Sequence, residues 1–382
     1  VTATGGVVVY EYANDTDRNP SLVIDPVGGR TVLEWADGLL ERVIDPVGVT
    51  VSFNYDSFGD LVGATNADGD TAQILRDVAG RVCEAITPLG FSTKYRYDQA
   101  GLLVSRQDPD GGVYRFERGD GGQVIAVVDP LGARTELEYG PGGKLTKTTD
   151  PLGREITKTF DEFGNTSSVV LPDGAQWEFV HDALSRLRTI IDPAGGQWKR
   201  EYDRDGDLSR EVDPTGVSTS VNVSRSDGVT VLRDAFEETL VRSDEFGRPV
   251  QVESADCSSE LVVYDACGRP VELVDGEGGL TKITRDLAGR VSVVVSPAGR
   301  VTSYEYDACG RPSAAVDAGG ARTELVYDAD SRVVARVLPT GERATTEYDQ
   351  MGRVVAQRTP GRGGAKYKYD RVGRLIGSQD TQ

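Results

Sequence analysis

The four cysteines and the single histidine are the residues of this 382-residue chain best suited to nucleophilic catalysis or metal binding. No two of Cys83, Cys257, Cys267 and Cys309 are spaced as C-x-x-C, which argues against a zinc site. A Ser-His-Asp or Cys-His centre would have to use His181, and no motif beside it supports such a centre. We therefore expect no catalytic residue, no metal and no cofactor, and we do not expect an enzyme.

Two further stretches resemble ligand-binding loops without meeting the requirements of such loops. An EF-hand loop needs a glutamate at its twelfth position, and counting from Asp203 in DRDGD (203–207) that position is Pro214. The glycine-rich GEGG (276–279) has no following helix whose N-terminus could bind a phosphate. Both stretches are better explained as turns.

The charge of the chain excludes two classes of partner. At a net charge of −19, the phosphates of nucleic acid or of an anionic membrane surface would be repelled. No run of 18 apolar residues is present, so we expect no membrane span. The chain begins with Val rather than Met and has no basic-then-apolar leader, so we expect a processed or excised piece of a longer protein.

Two turn motifs alternate along the chain in strict register. D-P-x-G or a close variant occurs 17 times from Asp25 to Thr359, with a period of about 21 residues that shortens by one at only two steps. The second motif, Y-D-x-x-G-R, lies half a repeat from the first and recurs from Trp35 to Tyr369. A β-propeller would need a period of about 40–45 residues, so this repeat does not fit one.

The D-P-x-G motif has the composition of a tight turn. In DPLG (129–132), Pro130 presets φ at the second position of a type I turn. Asp129 can accept hydrogen bonds from the backbone amides that follow it, and Gly132 suits the fourth position.

The Y-D-x-x-G-R motif has a different turn chemistry. In YDQAG (97–101), Tyr97 precedes the turn, Asp98 opens it, and Gly101 supplies the positive φ of a type I turn with a bulge. The arginine that often follows the glycine can fold back toward the aspartate, an exposed pair worth about 0.2–1 kcal/mol. The stretch YDACGRP occurs twice, with the turn residues Tyr264, Asp265, Gly268 and Arg269 in one copy and Tyr306, Asp307, Gly310 and Arg311 in the other.

The repeated heptapeptide also bears on the cysteines. Cys267 and Cys309 occupy the same turn position two repeats apart, which is four strands or roughly 19 Å. A disulfide needs Cα atoms within about 7 Å of each other. We therefore expect all four thiols to be free, and we interpret the repeated turn as a unit of the scaffold.

Between the turns the segments are short and alternate in polarity, as strands do. In TELEY (135–139), Leu137 and Tyr139 share one face while Glu136 and Glu138 share the other. DAFEETLVR (234–242) resembles a helix in its apolar spacing, but the turn register runs through it, so we predict strand.

The predicted fold class is therefore all-β, an antiparallel meander of about 34 short strands. A sheet this long must coil, and with one apolar and one charged face it should form a hollow, barrel-like shell. Residues 1–24 are expected to form an irregular first hairpin and residues 25–382 the 17-repeat shell.

These motifs resemble a known family. DPLG, YDACGRP, YDQMGRV (348–354) and YDRVGRL (369–375) are similar to the YD repeats of the Rhs family, shared with the B and C components of Tc toxin complexes and with the teneurins. The resemblance covers nearly the whole chain. It implies a β-cocoon that encloses another polypeptide, which in bacterial members is a toxic C-terminal domain held until delivery.

One feature of the bacterial members is missing from this sequence. Their shell usually ends in D-P-x-G-L, where an aspartyl-protease-like site releases the toxin. Here DPLG at 129–132 is followed by Ala133, DPLG at 150–153 is followed by Arg154, and no copy is followed by Leu. We therefore expect no toxin and no self-cleavage domain in this chain, and we transfer no catalytic residue to it.

The function implied by the resemblance is a structural shell that encapsulates a toxic cargo polypeptide. The expected partners are that cargo, capping segments of the same parent protein, and a secretion-system spike or Tc-like translocation component. The expected location is that of a secreted or injected effector, made in the bacterial cytoplasm and exported. The alternative is an extracellular adhesion or carbohydrate-binding module, similar to the teneurins, that uses the outer sheet face.

Overall fold

The computed structural model describes residues 6–14, 16–234, 237–256 and 258–381. Within these ranges the chain consists of β-strands and tight turns, with a single 3-10 turn at Pro141–Gly143 and no α-helix. Short segments of alternating polarity, separated by Asp, Pro and Gly, favour hairpins over helices. The all-β prediction is confirmed.

The strands are named in chain order. The first twelve are β1 (Val9–Glu11), β2 (Leu22–Ile24), β3 (Arg30–Ala36), β4 (Leu39–Ile44), β5 (Thr50–Tyr55), β6 (Leu61–Thr65), β7 (Thr71–Arg76), β8 (Val82–Ile86), β9 (Ser92–Tyr97), β10 (Leu103–Gln107), β11 (Val113–Arg118) and β12 (Val124–Val128). The next twelve are β13 (Arg134–Tyr139), β14 (Leu145–Thr149), β15 (Glu155–Phe160), β16 (Thr166–Val170), β17 (Gln176–His181), β18 (Leu187–Ile191), β19 (Gln197–Tyr202), β20 (Leu208–Val212), β21 (Ser218–Ser224), β22 (Val229–Arg233), β23 (Glu238–Ser243) and β24 (Pro249–Glu253). The last twelve are β25 (Ser259–Tyr264), β26 (Pro270–Val274), β27 (Leu280–Arg285), β28 (Val291–Val295), β29 (Val301–Tyr306), β30 (Pro312–Val316), β31 (Arg322–Tyr327), β32 (Val333–Val337), β33 (Arg343–Tyr348), β34 (Val354–Thr359), β35 (Gly363–Tyr369) and β36 (Leu375–Thr381).

The number of strands slightly exceeds the prediction of about 34. The described residues contain 36, and the two additional strands, β1 and β2, precede the first turn at Asp25. In 234–242, β23 begins at Glu238 and pairs with β22, while Ala235 and Phe236 lie outside the described residues.

The strands form one antiparallel meander, and β12 to β15 show its pattern, in which strands adjacent along the chain pair with each other. The two kinds of hairpin differ in register. At the DPLG turn, β12 and β13 pair without interruption, with Ala126 opposite Glu136. At the following hairpin the register shifts between Glu138 and Tyr139, which is a β-bulge. The same shift recurs at other YD hairpins, as a type I turn followed by a residue of positive φ requires.

The two faces of the sheet differ in chemistry. On β13, Leu137 and Tyr139 are half-buried while Glu136 and Glu138 are exposed, as predicted. We call the face that carries Glu136 and Glu138 the charged face. Cross-strand ion pairs lie on it, such as Lys147 Nζ at 3.1 Å from Glu138 Oε1. The opposite face carries most of the tyrosine, tryptophan and aliphatic side chains, and we call it the aromatic face.

Very few side chains are buried. Within the described ranges the buried apolar residues are Leu22, Ala126, Ala314 and Ala335. A domain built from two packed layers would bury large aliphatic and aromatic side chains between them. The described strands therefore form a single-layer sheet without a packed core.

The chain divides into two units. Unit 1 comprises Val1–Tyr114, Val263–Leu273 and Gly279–Gln382, and unit 2 comprises Arg115–Val262 and Val274–Gly278. Within unit 1, turns near the start of the chain contact turns 243 residues later. In the part of the chain that the structure describes, no helix has the length and apolar character needed to cross a membrane.

Candidate functional site

The D-P-x-G turn is built by one aspartate. Asp129 Oδ1 accepts hydrogen bonds from the backbone N–H groups of Leu131 (2.8 Å) and Ala133 (2.9 Å). Gly132 has a φ of +85°, in the left-handed region that glycine adopts without strain, and its N–H donates to the Asp129 carbonyl at 3.0 Å. The predicted roles of these residues agree with this geometry. The acidic stretch at 203–207 follows Tyr202 and forms a YD turn, which Asp203 caps in the same way.

The YD turn has the same aspartate cap. Asp98 Oδ1 accepts from Leu102 N–H at 2.9 Å, and Gly101 has a φ of +83°. Both copies of the heptapeptide repeat the arrangement. Asp265 and Asp307 each accept a hydrogen bond from the amide of the following cysteine, and each forms an ion pair with the arginine four residues later.

The arginine of the YD turn also contacts the next repeat. Arg290 Nε donates to Asp286 Oδ2 at 2.7 Å, and the guanidinium carbon lies 4.3 Å from the centre of the Tyr306 ring. The Tyr306 hydroxyl in turn donates to the Val291 carbonyl at 2.8 Å. The sequence predicted only the pair with aspartate. The same stacking, at the same spacing along the chain, recurs at Arg81 and Tyr97, Arg186 and Tyr202, Arg311 and Tyr327, Arg332 and Tyr348, and Arg353 and Tyr369.

Some repeats that lack this pair contain substitutes that keep part of its chemistry. Arg285 stands at the tyrosine position, and its Nη2 donates to the Pro270 carbonyl at 3.2 Å, the bond that a tyrosine hydroxyl makes elsewhere. Arg76 makes the equivalent bond. Lys144 lies over the Phe160 ring with Nζ 5.0 Å from its centre. The link between neighbouring repeats is thus maintained by different residue types.

In unit 1 a row of D-P-x-G turns lies against a row of YD turns. The first row consists of the turns that begin at Asp25, Asp45, Asn66, Thr87 and Asp108. The second row consists of the turns that begin at Asp265, Asp286, Asp307, Asp328 and Asp349. We call the contact between these two rows the turn interface. Partners in the two rows keep a nearly constant separation along the chain.

Charged side chains make the central contacts of the turn interface. Arg311 Nη2 lies 2.8 Å from Asp68 Oδ2. One turn further along, the Asp330 carboxylate accepts hydrogen bonds from the Thr87 hydroxyl (3.2 Å) and the Leu89 amide (3.1 Å).

The two rows of the turn interface are close enough to shield charged side chains from solvent and to require glycine at one position. Arg353 Nη2 lies 3.5 Å from Asp110 Oδ2, and the Asp110 side chain is only 13% exposed. The Asp330 side chain is 12% exposed. A Cβ on Gly29 would lie 2.6 Å from the Leu287 carbonyl oxygen, so a larger residue would force the rows apart. Sequence reasoning missed this contact, because no local motif links positions so far apart.

Two of the cysteines belong to the turn interface. The Cys309 side chain lies beside Asp68, and the Cys267 side chain lies beside the backbone of Val27. Burial raises the pKa of both thiols, which disfavours the reactive thiolate. Cys83, Cys267 and Cys309 are free, as predicted, and Cys257 lies outside the described residues.

His181 occupies the tyrosine position of its hairpin, as the sequence predicted. It ends β17, its side chain is 14% exposed, and Nδ1 lies 3.8 Å from Asp161 Oδ2. Where the structure describes the chain, no three His, Cys, Asp or Glu side chains are grouped so that they could hold a metal ion.

The family model for the RHS repeat matches six segments that together cover more than half of the sequence: 35–71, 76–113, 120–155, 160–197, 285–322 and 327–365. The chain belongs to the RHS repeat family. The predicted resemblance to YD repeats is therefore confirmed. A comparison with curated proteins found no match.

Solved structures of Tc toxin components share the fold of this RHS repeat chain. TcdB2-TccC3 without its hypervariable C-terminal region aligns with a TM-score of 0.75 at 16% identity, over 95% of this chain and 24% of that one. The Photorhabdus luminescens Tc holotoxin pore with a TccC3 mutation gives 0.76 and 16%, over 95% and 23%. TcdB2-TccC3-Cdc42 gives 0.66 and 15%, over 96% and 24%. The chain thus spans about a quarter of the length of these proteins.

Proposed function

We propose that this RHS repeat chain forms part of the wall of a shell that encloses a cargo polypeptide. The observation that carries the proposal is the single-layer sheet with its uncovered aromatic face. The chain exposes 22,885 Å² of surface, against about 14,700 Å² expected for a compact monomer of its size. A sheet that carries its aromatic side chains on a face not covered by a second layer is suited to bind another polypeptide.

The aromatic face is the side suited to a cargo. On it, the Trp177 and Trp198 rings stack with centroids 6.3 Å apart, and Phe179 lies opposite Ile190 on the neighbouring strand. Apolar side chains can be covered by another chain without desolvating charges. The ion-paired charged face would carry that cost, so it suits contact with water.

Enclosure requires no catalytic residue in the wall itself. A wall acts by keeping a cargo from its target, and release then requires opening of the wall. Export as a secreted or injected toxin component, with capping segments of the parent protein at the sheet edges, belongs to the same proposal. Covered edges are needed because unpaired strand edges promote aggregation.

The test uses the parent protein with its cargo domain and limited proteolysis. We expect the cargo to be digested at least tenfold more slowly in the parent than as an isolated domain. Phe179→Glu places a charge on the aromatic face and should accelerate digestion. Val180→Glu is the matched control on the same strand, because Val180 is 50% exposed on the charged face.

Two outcomes would count against enclosure. If the cargo in the parent is digested as fast as the isolated domain, it is not enclosed, and the adhesion alternative becomes the better explanation. If Phe179→Glu and Val180→Glu behave alike while far-UV circular dichroism shows both folded, the aromatic face does not contact the cargo.

A further inference from the structure

The turn interface poses a problem of register. Its two rows are built from repeats that share one backbone geometry, with the same turn hydrogen bonds in each. A shift of the rows by one repeat would therefore bring equivalent turns together again. Repetitive pairings of this kind are weakly specified unless side chains distinguish the correct partner. Something in the turn interface must make the observed pairing better than its neighbours.

Asp330 differs from the residues at the same position of the adjacent turns. The third residue of the YD turn is Cys309 in one neighbour and Met351 in the other, both uncharged. The turn that faces Asp330 also differs, because Thr87 stands where an aspartate is typical, and Leu89 is its third residue. The turns on either side of it carry Asp68 and Asp110 at that third position.

We propose that Asp330 sets the register of the turn interface by accepting hydrogen bonds from the turn of Thr87. Among the turns of the first row, this turn alone has no acid at its first or third position. In the observed pairing, the Asp330 carboxylate receives the Thr87 hydroxyl and the Leu89 amide. The inference does not depend on what the shell encloses. It assigns a specific function to a residue that the repeat motif leaves variable.

A shift of one repeat in either direction brings two carboxylates together. In one direction Asp330 would replace Cys309, whose side chain lies beside Asp68. A carboxylate in that place would face another carboxylate. In the other direction Asp330 would face the turn of Asp110. Like charges at such close range and low exposure are unfavourable.

The ion pairs by themselves do not distinguish the registers. Arg311 contacts Asp68 in the observed register. After a shift of one repeat, Arg332 or Arg290 would stand at the same position against Asp68. The carboxylate of Asp330 is therefore the group that penalises both neighbouring pairings.

The test combines a register reporter with a charge placed opposite Asp330. Val27→Cys is the reporter, because Cys267 contacts the backbone of Val27. Mild oxidation should link position 27 to Cys267, as mapped by peptide mass spectrometry on the full chain. In a shifted register position 27 would face the turn of Asp286 or that of Asp244, neither of which contains a cysteine.

In this reporter background, Thr87→Asp restores the usual turn aspartate but sets a second carboxylate against Asp330. We expect the crosslink yield to fall about tenfold, and to recover when Asp330→Asn is added. Ser296→Asp is the matched control. It restores the same motif at a turn whose sequence, SPAG, differs from DPAG only in that residue, and Ser296 is outside the turn interface. The control should leave the yield unchanged.

Each outcome decides the matter. Loss of the crosslink in Thr87→Asp with recovery in the double variant supports the proposal, whether or not Thr87→Asp alone keeps its far-UV circular dichroism spectrum. The proposal is wrong if Thr87→Asp matches the Ser296→Asp control, or if Asp330→Asn fails to restore the yield.

Discussion

Where an arginine ends one YD turn and a tyrosine precedes the next, the arginine connects the two repeats. Arg290 pairs with the aspartate of its own turn and stacks on Tyr306 of the next, whose hydroxyl returns to the Val291 carbonyl. The planar guanidinium makes both contacts at once, which an ammonium cannot do. The YD motif thus encodes a link between neighbouring repeats as well as a turn.

Replacing Arg290 with lysine should therefore weaken the hairpin more than its charge would suggest. Arg290→Lys keeps the positive charge but loses the planar set of N–H donors and the stacking on Tyr306. We expect this to lower the free energy of unfolding of the hairpin by about 1 kcal/mol. Hydrogen exchange measured by mass spectrometry should become about fivefold faster in peptides covering 286–306. Arg154→Lys is the control, because Arg154 pairs with Asp150 in the same way but is 62% exposed. Equal effects at the two sites would contradict the role given to Tyr306.

At the scale of the elements, the turn aspartates are titratable groups that make the stability of the fold depend on pH. The Arg186 side chain holds the pKa of the Asp182 carboxyl below its usual range, and Arg81 does the same for Asp77. Because the pKa is lower in the folded turn than in the unfolded chain, the carboxylate stabilises the fold above about pH 4. That stabilisation is lost as the pH falls through the folded-state pKa.

The melting temperature should therefore fall steeply between about pH 5 and pH 2. Asp182→Asn should melt at a lower temperature than the wild type at pH 7. The difference should shrink at low pH, because protonation then removes the Asp182 charge from the wild type, a charge that the variant never carries. Asp120→Asn changes an exposed aspartate that does not open its turn, and it should follow the wild-type pH profile. A wild-type melting temperature that does not change down to pH 2 would show that the turn aspartates do not contribute as argued.

At the scale of the whole molecule, the described strand pairings join strands that are neighbours along the chain, as β12 to β15 do. Within unit 1, the turn interface adds contacts between distant repeats. Repeat arrays of this type are stabilised mainly by nearest-neighbour terms, and long arrays lose all-or-none cooperativity.

Urea unfolding should consequently not be two-state. Two of the three tryptophans, Trp177 and Trp198, lie in unit 2, so fluorescence reports mainly that unit, while far-UV circular dichroism reports all strands. We expect the two transitions to have different midpoints. Coincident transitions, with one midpoint for both probes, would indicate cooperative unfolding of the entire sheet.

The local part of this structure could be predicted from the sequence and the distant part could not. Asp98 and Gly101 shape a turn through bonds to residues within four positions, so their identities suffice. The constant spacing between the turn arginine and the next tyrosine is visible in the sequence and could have revealed their contact. The pairing of Asp330 with Thr87 could not have been found in this way. Its partners are 243 residues apart, and nothing in either turn specifies the other until both are placed.

The identical stretches at 264–270 and 306–312 have a consequence for how such a gene can change. Unequal recombination between them would delete or duplicate two whole repeats and leave every hairpin with a complete turn. Yet the same event would change the number of repeats between Thr87 and Asp330 and separate partners that now meet. Selection should therefore tolerate amino-acid substitutions within any one repeat of that span while keeping the number of repeats constant.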